Sequence, residues 1–311
     1  MKRIVSILIS VAMISASFIS CTSTAQSNSN DKLKIVCTIF PQYDFCKEIG
    51  ADLIEVSMLI SPGADIHGYE PSISDIQKIN TADLFIYCSG ESESWVTDII
   101  KTMSDKAKAL DIAQCVKLLN EETVEGMEND KHDDEQGFDE HVWTSPVYAK
   151  SIVSKISETI CELDAKNKDK YTRNTNRYLS KLDELDLKFK DAVEIGKNDT
   201  LIFADRFPFR YFTEQYDLNY YAAFKGCSSE SEPSLSTVSF LINKAKELNI
   251  KTVLYTETSD QKTADLICDA TNAKKALLHS CHNLTKAEFE SGKTYLSLMN
   301  ENVETIKEAL K

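Results

Sequence analysis

Residues 171–193 read YTRNTNRYLSKLDELDLKFKDAV, and this stretch decides how the chain is organised. Its mostly apolar side chains recur at steps of three and four residues: Tyr171, Thr175, Tyr178, Leu182, Leu185, Phe189 and Val193. Such spacing places them along one face of an α-helix. A helix of about 25 residues is roughly 37 Å long, at ~1.5 Å per residue. We therefore predict that residues 166–197 form a long helix that links two halves of the protein.

Strand and helix patterns alternate on both sides of this long helix. Before it, we predict strands at 33–40, 53–60 and 84–87, and helices at 44–50, 72–80, 95–101 and 146–163. After it, we predict strands at 200–203, 220–224, 252–256 and 275–278, and helices at 209–215, 235–248, 263–271 and 295–310. This alternation indicates an α/β fold with two lobes, each a mostly parallel sheet flanked by helices. The expected lobes are residues 33–165 and 198–311.

The first twenty residues have the pattern of an export signal. Lys2 and Arg3 precede an almost wholly apolar segment at 4–19, and Cys21 follows the small Ser20. A cysteine at this point resembles a bacterial lipoprotein signal, in which the thiol is lipidated and becomes the new N-terminus. The alternative is an uncleaved N-terminal membrane helix. In both cases the rest of the chain would lie outside the cytoplasm, with residues 21–32 as a flexible tether.

The chain has 311 residues and a formal net charge of -14. Nucleic-acid binding needs clustered Lys and Arg, so this charge argues against that class of partner. Acidic residues are concentrated in a loop at 121–140, which also holds His132. This loop either gathers cations loosely or is a disordered surface insertion. The nine cysteines include no CxxC pair, and we expect most of them to be free thiols.

Five histidines offer the most specific chemical signal in the sequence. His67 follows a predicted strand, His141 precedes a predicted helix, and His279 and His282 follow the last predicted strand. In α/β proteins, strand ends that face a crevice are where ligands bind. Neutral imidazole is a strong zinc ligand. The spacing alone leaves a metal site and ordinary hydrogen-bonding histidines equally open.

Two motifs resemble a known family. The segment GADIHGYEPS at 63–72 resembles the signature of the zinc- and manganese-type metal-binding solute-binding proteins of bacterial ABC importers. DEHVWTSP at 139–146 and TYLSLMNEN at 294–302 are similar to further segments of that family, and the likeness runs from about residue 33 to 311. The resemblance implies a lipid-anchored monomer on the outer face of the cell membrane. It would hold one metal ion between its lobes and hand it to the importer's permease.

The resemblance also implies metal ligands, which we carry over position by position. His67 and His141 correspond to the two ligands of the N-terminal lobe. In the C-terminal lobe Arg206 occupies a ligand position, and a guanidinium has no lone pair to offer a metal. Asp205 either replaces that ligand or forms a structural ion pair with Arg206.

The fourth ligand position of the family aligns with LHSCHNL at 278–284, which places His279 there and His282 a short turn later. We therefore expect His67, His141 and His279 as the core of the site, with Asp205 or His282 as fourth ligand. A nitrogen-rich set favours zinc over manganese. Beyond the ligands, Glu70 and Glu257 either orient the imidazoles or play solvated or capping roles.

Two other functions compete with metal transport. A surface adhesin with a structural metal is one, and the sequence does not separate it from a transport protein. An extracytoplasmic metallohydrolase is the other. A catalytic zinc site keeps an open position beside a general base, and the sequence has no HExxH-like motif or nucleophile elbow. We therefore expect a binding protein and not an enzyme.

Overall fold

The computed structural model describes residues 32–311, except 65, 67, 104–108, 129–136, 227 and 229–231. Some predicted features lie outside the described residues: the signal at 1–20, Cys21, the tether up to residue 31, His67 and His132. Among the described residues, no helix combines the length and apolar character needed to span a bilayer. The described cysteines are free thiols, as expected: Cys37, Cys46, Cys88, Cys115, Cys161, Cys268 and Cys281.

The N-terminal lobe is built on a four-stranded parallel sheet. Its strands are β1 (Leu33–Cys37), β2 (Ile54–Met58), β3 (Leu84–Tyr87) and β4 (Ala109–Asp111), in the order β2-β1-β3-β4. The helices of this lobe are α1 (Phe40–Gly50), α2 (Ile73–Thr81), α3 (Val96–Thr102) and α4 (Pro146–Leu163). Apolar residues of β1 and β3, such as Ile35 and Phe85, are almost fully buried because helices cover both faces of the sheet.

The C-terminal lobe repeats this architecture after the long helix α5 (Lys168–Glu194). Its strands are β5 (Thr200–Phe207), β6 (Asn219–Lys225), β7 (Thr252–Tyr255) and β8 (Lys274–Leu277), in the order β6-β5-β7-β8. All pairs are parallel. Its helices are α6 (Arg210–Tyr216), α7 (Leu235–Glu247), α8 (Lys262–Thr271), α9 (Lys286–Glu290) and α10 (Tyr295–Ala309). The predicted α/β fold with two parallel-sheet lobes is confirmed, while the predicted lobe boundaries remain predictions.

The long helix α5 packs against helices of both lobes. The predicted stripe is confirmed, because Tyr171, Tyr178, Leu182, Leu185 and Phe189 are each at most 1% exposed. These side chains face α1 and α4 of the first lobe and α10 of the second. Since α5 is an uninterrupted helix of 27 residues, it gives the two lobes a rigid common support.

Element boundaries differ from the sequence prediction at three informative places. Helix α1 begins at Phe40 and not at residue 44, because a proline such as Pro41 is well tolerated in the first turn of a helix. Strand β5 continues to Phe207, four residues beyond its predicted end, after a register shift between Phe203 and Arg206. The short elements β4 and α9 were not predicted. At α2, the predicted cap is confirmed, since Ser72 Oγ accepts from Asp75 N at 3.2 Å.

One buried acid lies behind the N-terminal sheet. Glu93 is 2% exposed, and its two oxygens accept hydrogen bonds from Thr38 Oγ1 at 2.6 Å and from Cys88 N at 2.9 Å. Burial raises the pKa of Glu93 to about 8, despite these hydrogen bonds. Across most of the physiological range the folded protein therefore retains a proton that the unfolded chain releases.

We predict that Glu93→Gln makes the stability of the metal-free protein less sensitive to pH. Because the pKa of Glu93 is raised on folding, wild-type stability falls as the pH rises toward about 8. The glutamine cannot ionise, so the variant should gain up to about 3 kcal/mol of unfolding free energy relative to wild type between pH 5.5 and 8. Urea denaturation at both pH values measures this difference.

The matched control for this experiment is Glu162→Gln, since Glu162 is exposed. Its unfolding free energy should follow the wild-type pH dependence. The prediction is wrong if Glu93→Gln also follows it.

Candidate metal centre in the interlobe cleft

Three loops from the two lobes meet at one place. The loop after β2 is bound to the loop after β8, because Asn283 Nδ2 donates to the carbonyls of Ser61 at 3.0 Å and Ala64 at 2.9 Å. Gly63 N also donates to Leu284 O at 2.8 Å. Gly63 has a φ of +81°, a conformation that only glycine adopts without strain. Residues 61–64 of this loop are therefore tied to the C-terminal lobe.

The loop before α4 is bound to the same region. Trp143 Nε1 donates to Ser280 O at 2.9 Å, and Tyr295 OH donates to Trp143 O at 2.7 Å. Trp143 is fully buried, and its ring lies 4.8 Å from that of His282. This indole therefore fixes the position of the N-terminal loop that contains His141 against the C-terminal loop that contains His282.

His141 is held in one orientation by Asp139. Asp139 Oδ1 lies 3.1 Å from His141 Nδ1 and also accepts from His141 N at 2.8 Å. A carboxylate only accepts, so Nδ1 carries the proton and Nε2 keeps its lone pair for a metal. Tyr211 OH in turn donates to Asp139 O at 2.6 Å. Burial lowers the pKa of His141, but the charge and hydrogen bond of Asp139 outweigh it, and the net shift is upward.

His282 is the histidine that the structure brings to His141. The two ring centroids are 5.0 Å apart, and the rings are nearly perpendicular at 89°. Both rings line a cavity of about 40 Å³, which has room for an ion and little else. Ile66, the chain neighbour of His67, lines the same cavity.

Gly226 forms the wall of this cavity beside His141. A Cβ atom added at Gly226 would lie 3.0 Å from His141 Cε1 and 3.0 Å from Phe207 O. Any larger residue would therefore displace the imidazole. The sequence analysis did not single out this residue, because an isolated glycine after a strand gives no signal of what approaches it.

His279 has a different environment from the one predicted. Its Nδ1 accepts from Cys281 N at 2.9 Å, so the proton of the neutral ring lies on Nε2, which is 3.8 Å from Glu288 Oε1. His279 does not line the cavity that His141 and His282 share. The backbone of Cys281 has a φ of +59°, and this left-handed residue turns the loop between the two histidines. In this geometry His282, and not His279, lies next to His141, while the predicted ligand set remains a prediction.

Asp205 and Arg206 also have different surroundings. Successive side chains of a strand point to opposite faces, and only Arg206 reaches the cavity. Asp205 Oδ2 accepts from Thr256 N at 3.3 Å, and burial raises the pKa of this carboxyl. Among the described residues no ion pair joins Asp205 to Arg206. Asp205 does not line this cavity, and the charge of Arg206 opposes the rise in its pKa, so both predicted roles of Asp205 remain predictions.

The two predicted supporting acids differ in position. Glu70 is exposed at the surface. Glu257 lies on the cavity wall and accepts from Ser280 N at 2.9 Å and from Ser280 Oγ at 2.5 Å. Since His282 N donates to Ser280 Oγ at 3.1 Å, Glu257 positions the loop of His282, and its Oε1 also lies 3.7 Å from His279 Nδ1.

The donor set suits a metal ion that prefers nitrogen ligands. His141 and His282 are buried imidazoles from opposite lobes, and such rings suit zinc. No group of three or more His, Cys, Asp or Glu side chains that could hold a metal forms among the described residues, which do not include His67.

The fold and the cleft define the class of this protein as a two-lobed solute-binding protein whose ligand site lies between the lobes. The family model described as the periplasmic zinc-uptake complex component A, ZnuA, matches residues 35–309. The chain therefore belongs to this family.

Relatives and solved structures agree with this assignment. The high-affinity zinc uptake system protein ZnuA of Bacillus subtilis (strain 168) is 31% identical over 294 residues, covering 94% of this chain and 92% of the relative. The zinc-binding lipoprotein AdcA of Streptococcus pneumoniae (strain R6) is 29% identical over 99% of this chain, which spans only 61% of that relative's length. The crystal structure of the Zn(II)-bound ZnuA-like domain of AdcA from Streptococcus pneumoniae superposes with a TM-score of 0.75 at 28% identity, covering 90% of this chain and 99% of that domain.

We predict that Asp139→Asn lowers the pKa of His141 in the metal-free protein. The Asp139 charge is what raises this pKa against the effect of burial, so an uncharged amide should bring it down. Histidine resonances followed by NMR during a pH titration measure the shift. The control is Asp169→Asn, because Asp169 is exposed on α5. An unchanged His141 pKa in Asp139→Asn would contradict the prediction.

Proposed function

We propose that this protein captures zinc outside the cytoplasm, holds it in the cavity between His141 and His282, and delivers it to an ABC importer. The observation that carries the proposal is the pair of imidazoles that meet at 5.0 Å across the cleft. Membership of a zinc-uptake family and relatives named as zinc-binding proteins support the choice of metal.

The proposed ligands are His67, His141 and His282. Three imidazoles leave one position of a tetrahedral zinc ion for a further donor. His67 enters the set because the motif at 63–72 resembles the signature of the family, and its chain neighbour Ile66 lines the cavity. Zinc fits better than manganese, since manganese prefers carboxylate and carbonyl oxygens.

Lipidation at Cys21 would keep the protein at the outer face of the membrane, within reach of the importer's permease. The signal pattern at 1–20 supports this anchor, and the pneumococcal relative is named a lipoprotein. We expect a monomer that binds and releases its cargo without chemical change. A cavity of about 40 Å³ supports this expectation, because beside a metal it leaves room for a group of only a few atoms.

We predict that alanine substitutions of three histidines of the cleft lower the affinity for zinc, and that the substitution of His279 does not. His67→Ala, His141→Ala and His282→Ala each remove a proposed ligand and should weaken zinc binding by more than ~100-fold, beyond the ~10- to 100-fold typical of residues that only support ligands. Calorimetric titration of zinc into metal-free protein measures each affinity.

His279→Ala is the matched control, since His279 is equally buried but does not line the cavity. Its zinc affinity should stay within ~10-fold of wild type. The ligand set is wrong if His279→Ala loses zinc while His282→Ala retains it. The zinc proposal itself fails if wild-type protein binds no zinc.

We predict that zinc binding weakens as the pH falls from 7.5 to 5.5. Zinc binds the neutral imidazole, and Asp139 raises the pKa of His141 above its ordinary value. Protons therefore compete with zinc, and each bound ion should displace protons that calorimetry in buffers of different ionisation enthalpy can count. In Asp139→Asn the loss of affinity should begin at a lower pH. A zinc affinity that is constant over this range would contradict the prediction.

A further inference from the structure

Arg206 is a cation on the wall of the proposed metal cavity. It lines the same 40 Å³ space as His141 and His282. Its Nε is buried and has no hydrogen-bond partner. A guanidinium is charged at all accessible pH values and has five donors, so this group is placed to bind something that the protein itself does not provide.

The neighbouring carboxylates are bound elsewhere. Asp205 does not line the cavity, and it accepts from Thr256 N at 3.3 Å. Glu257 is on the cavity wall, but both of its oxygens accept from Ser280. No ion pair between Glu257 and Arg206 exists within the described part of the chain. The charges of Asp205 and Glu257 lie nearby, but neither forms an ion pair with Arg206 among the described residues, so its positive charge is only partly offset.

Zinc would increase this imbalance. The imidazoles of His141 and His282 are neutral as ligands and leave the metal's double positive charge intact. Two positive centres in a small cavity of low dielectric repel each other strongly. An anion between them would neutralise both.

We propose that the cleft binds a small carboxylate together with zinc. One carboxylate oxygen takes the zinc position that the imidazoles leave open, and the other accepts from the Arg206 guanidinium. Both contacts are favourable, since carboxylate oxygen is a zinc ligand and the guanidinium fork matches a carboxylate. The cavity of about 40 Å³ restricts the anion to one or two carbon atoms, as in bicarbonate, formate or acetate. This inference rests on the proposed zinc site.

The test is calorimetric titration of zinc into the full-length metal-free protein, with and without acetate, under nitrogen to exclude bicarbonate and in nitrate salts. After correction for zinc–acetate complexes in solution, acetate should tighten zinc binding to wild type on the order of 10-fold, the value of one charge-assisted contact. Arg206→Gln and Arg206→His should show no acetate dependence, since both lack the guanidinium. Arg173→Gln, on the exposed face of α5, should keep the wild-type dependence.

A second measurement does not depend on affinity. The ¹³C resonance of carboxyl-labelled acetate should broaden or shift with zinc-loaded wild type, and should do neither with zinc-loaded Arg206→Gln.

The outcomes separate this inference from the zinc proposal. Tight zinc binding that ignores acetate in wild type overturns the carboxylate site and leaves the zinc site standing. Acetate dependence that survives in Arg206→Gln also overturns it, because the anion would then bind without the guanidinium. Absence of zinc binding under both conditions overturns the zinc site and the carboxylate site together.

Discussion

Asn283 donates both hydrogens of its carboxamide to the loop after β2, and this contact is the constraint on which the cleft depends. Without it, the segment that leads to His67 would have no fixed relation to the loop that carries His282. Trp143 links the loop before α4 to the same C-terminal loop, because its Nε1 donates to Ser280 O. The cavity is thus formed by polar contacts between loops and not by the apolar cores of the two lobes.

This division of roles has an energetic reason. The sheets and α5 bury large apolar side chains, and such burial contributes about 1.5–3 kcal/mol for each fully buried residue. The cross-cleft hydrogen bonds contribute only about 1 kcal/mol each. Apolar burial therefore dominates the stability of the fold, and a bound ion that touches both lobes would add to the weaker contacts at the cleft.

Most of the fold could be predicted from the periodicity of apolar residues and from the residues that begin or end helices and strands. The α5 stripe, the Ser72 cap and the alternation of strands with helices depend on local patterns, and these patterns were correct. The site was harder, because it depends on the direction of single side chains. The left-handed backbone at Cys281 turns the loop so that His282, and not His279, lies next to His141. A residue other than glycine gives no sign of this conformation in the sequence. The predicted strand ends at Phe203, whereas β5 continues to Phe207. The sequence pattern therefore did not show that Asp205 and Arg206 lie within a strand.

The same limit explains why the role of Arg206 emerges only from the structure. In the sequence, Arg206 occupies a position where the family resemblance implies a metal ligand. An ion pair with Asp205 is the simplest explanation for an arginine there. The geometry shows no such ion pair among the described residues, since Asp205 accepts from Thr256 N and does not line the cavity that Arg206 lines. Arg206 thus places a positive charge on the wall of the small cavity that His141 and His282 also line. A protein that binds a dication with neutral ligands needs a source of negative charge. The Arg206 guanidinium forms no ion pair among the described residues, and we infer from it that a small anion bound together with zinc supplies part of that charge.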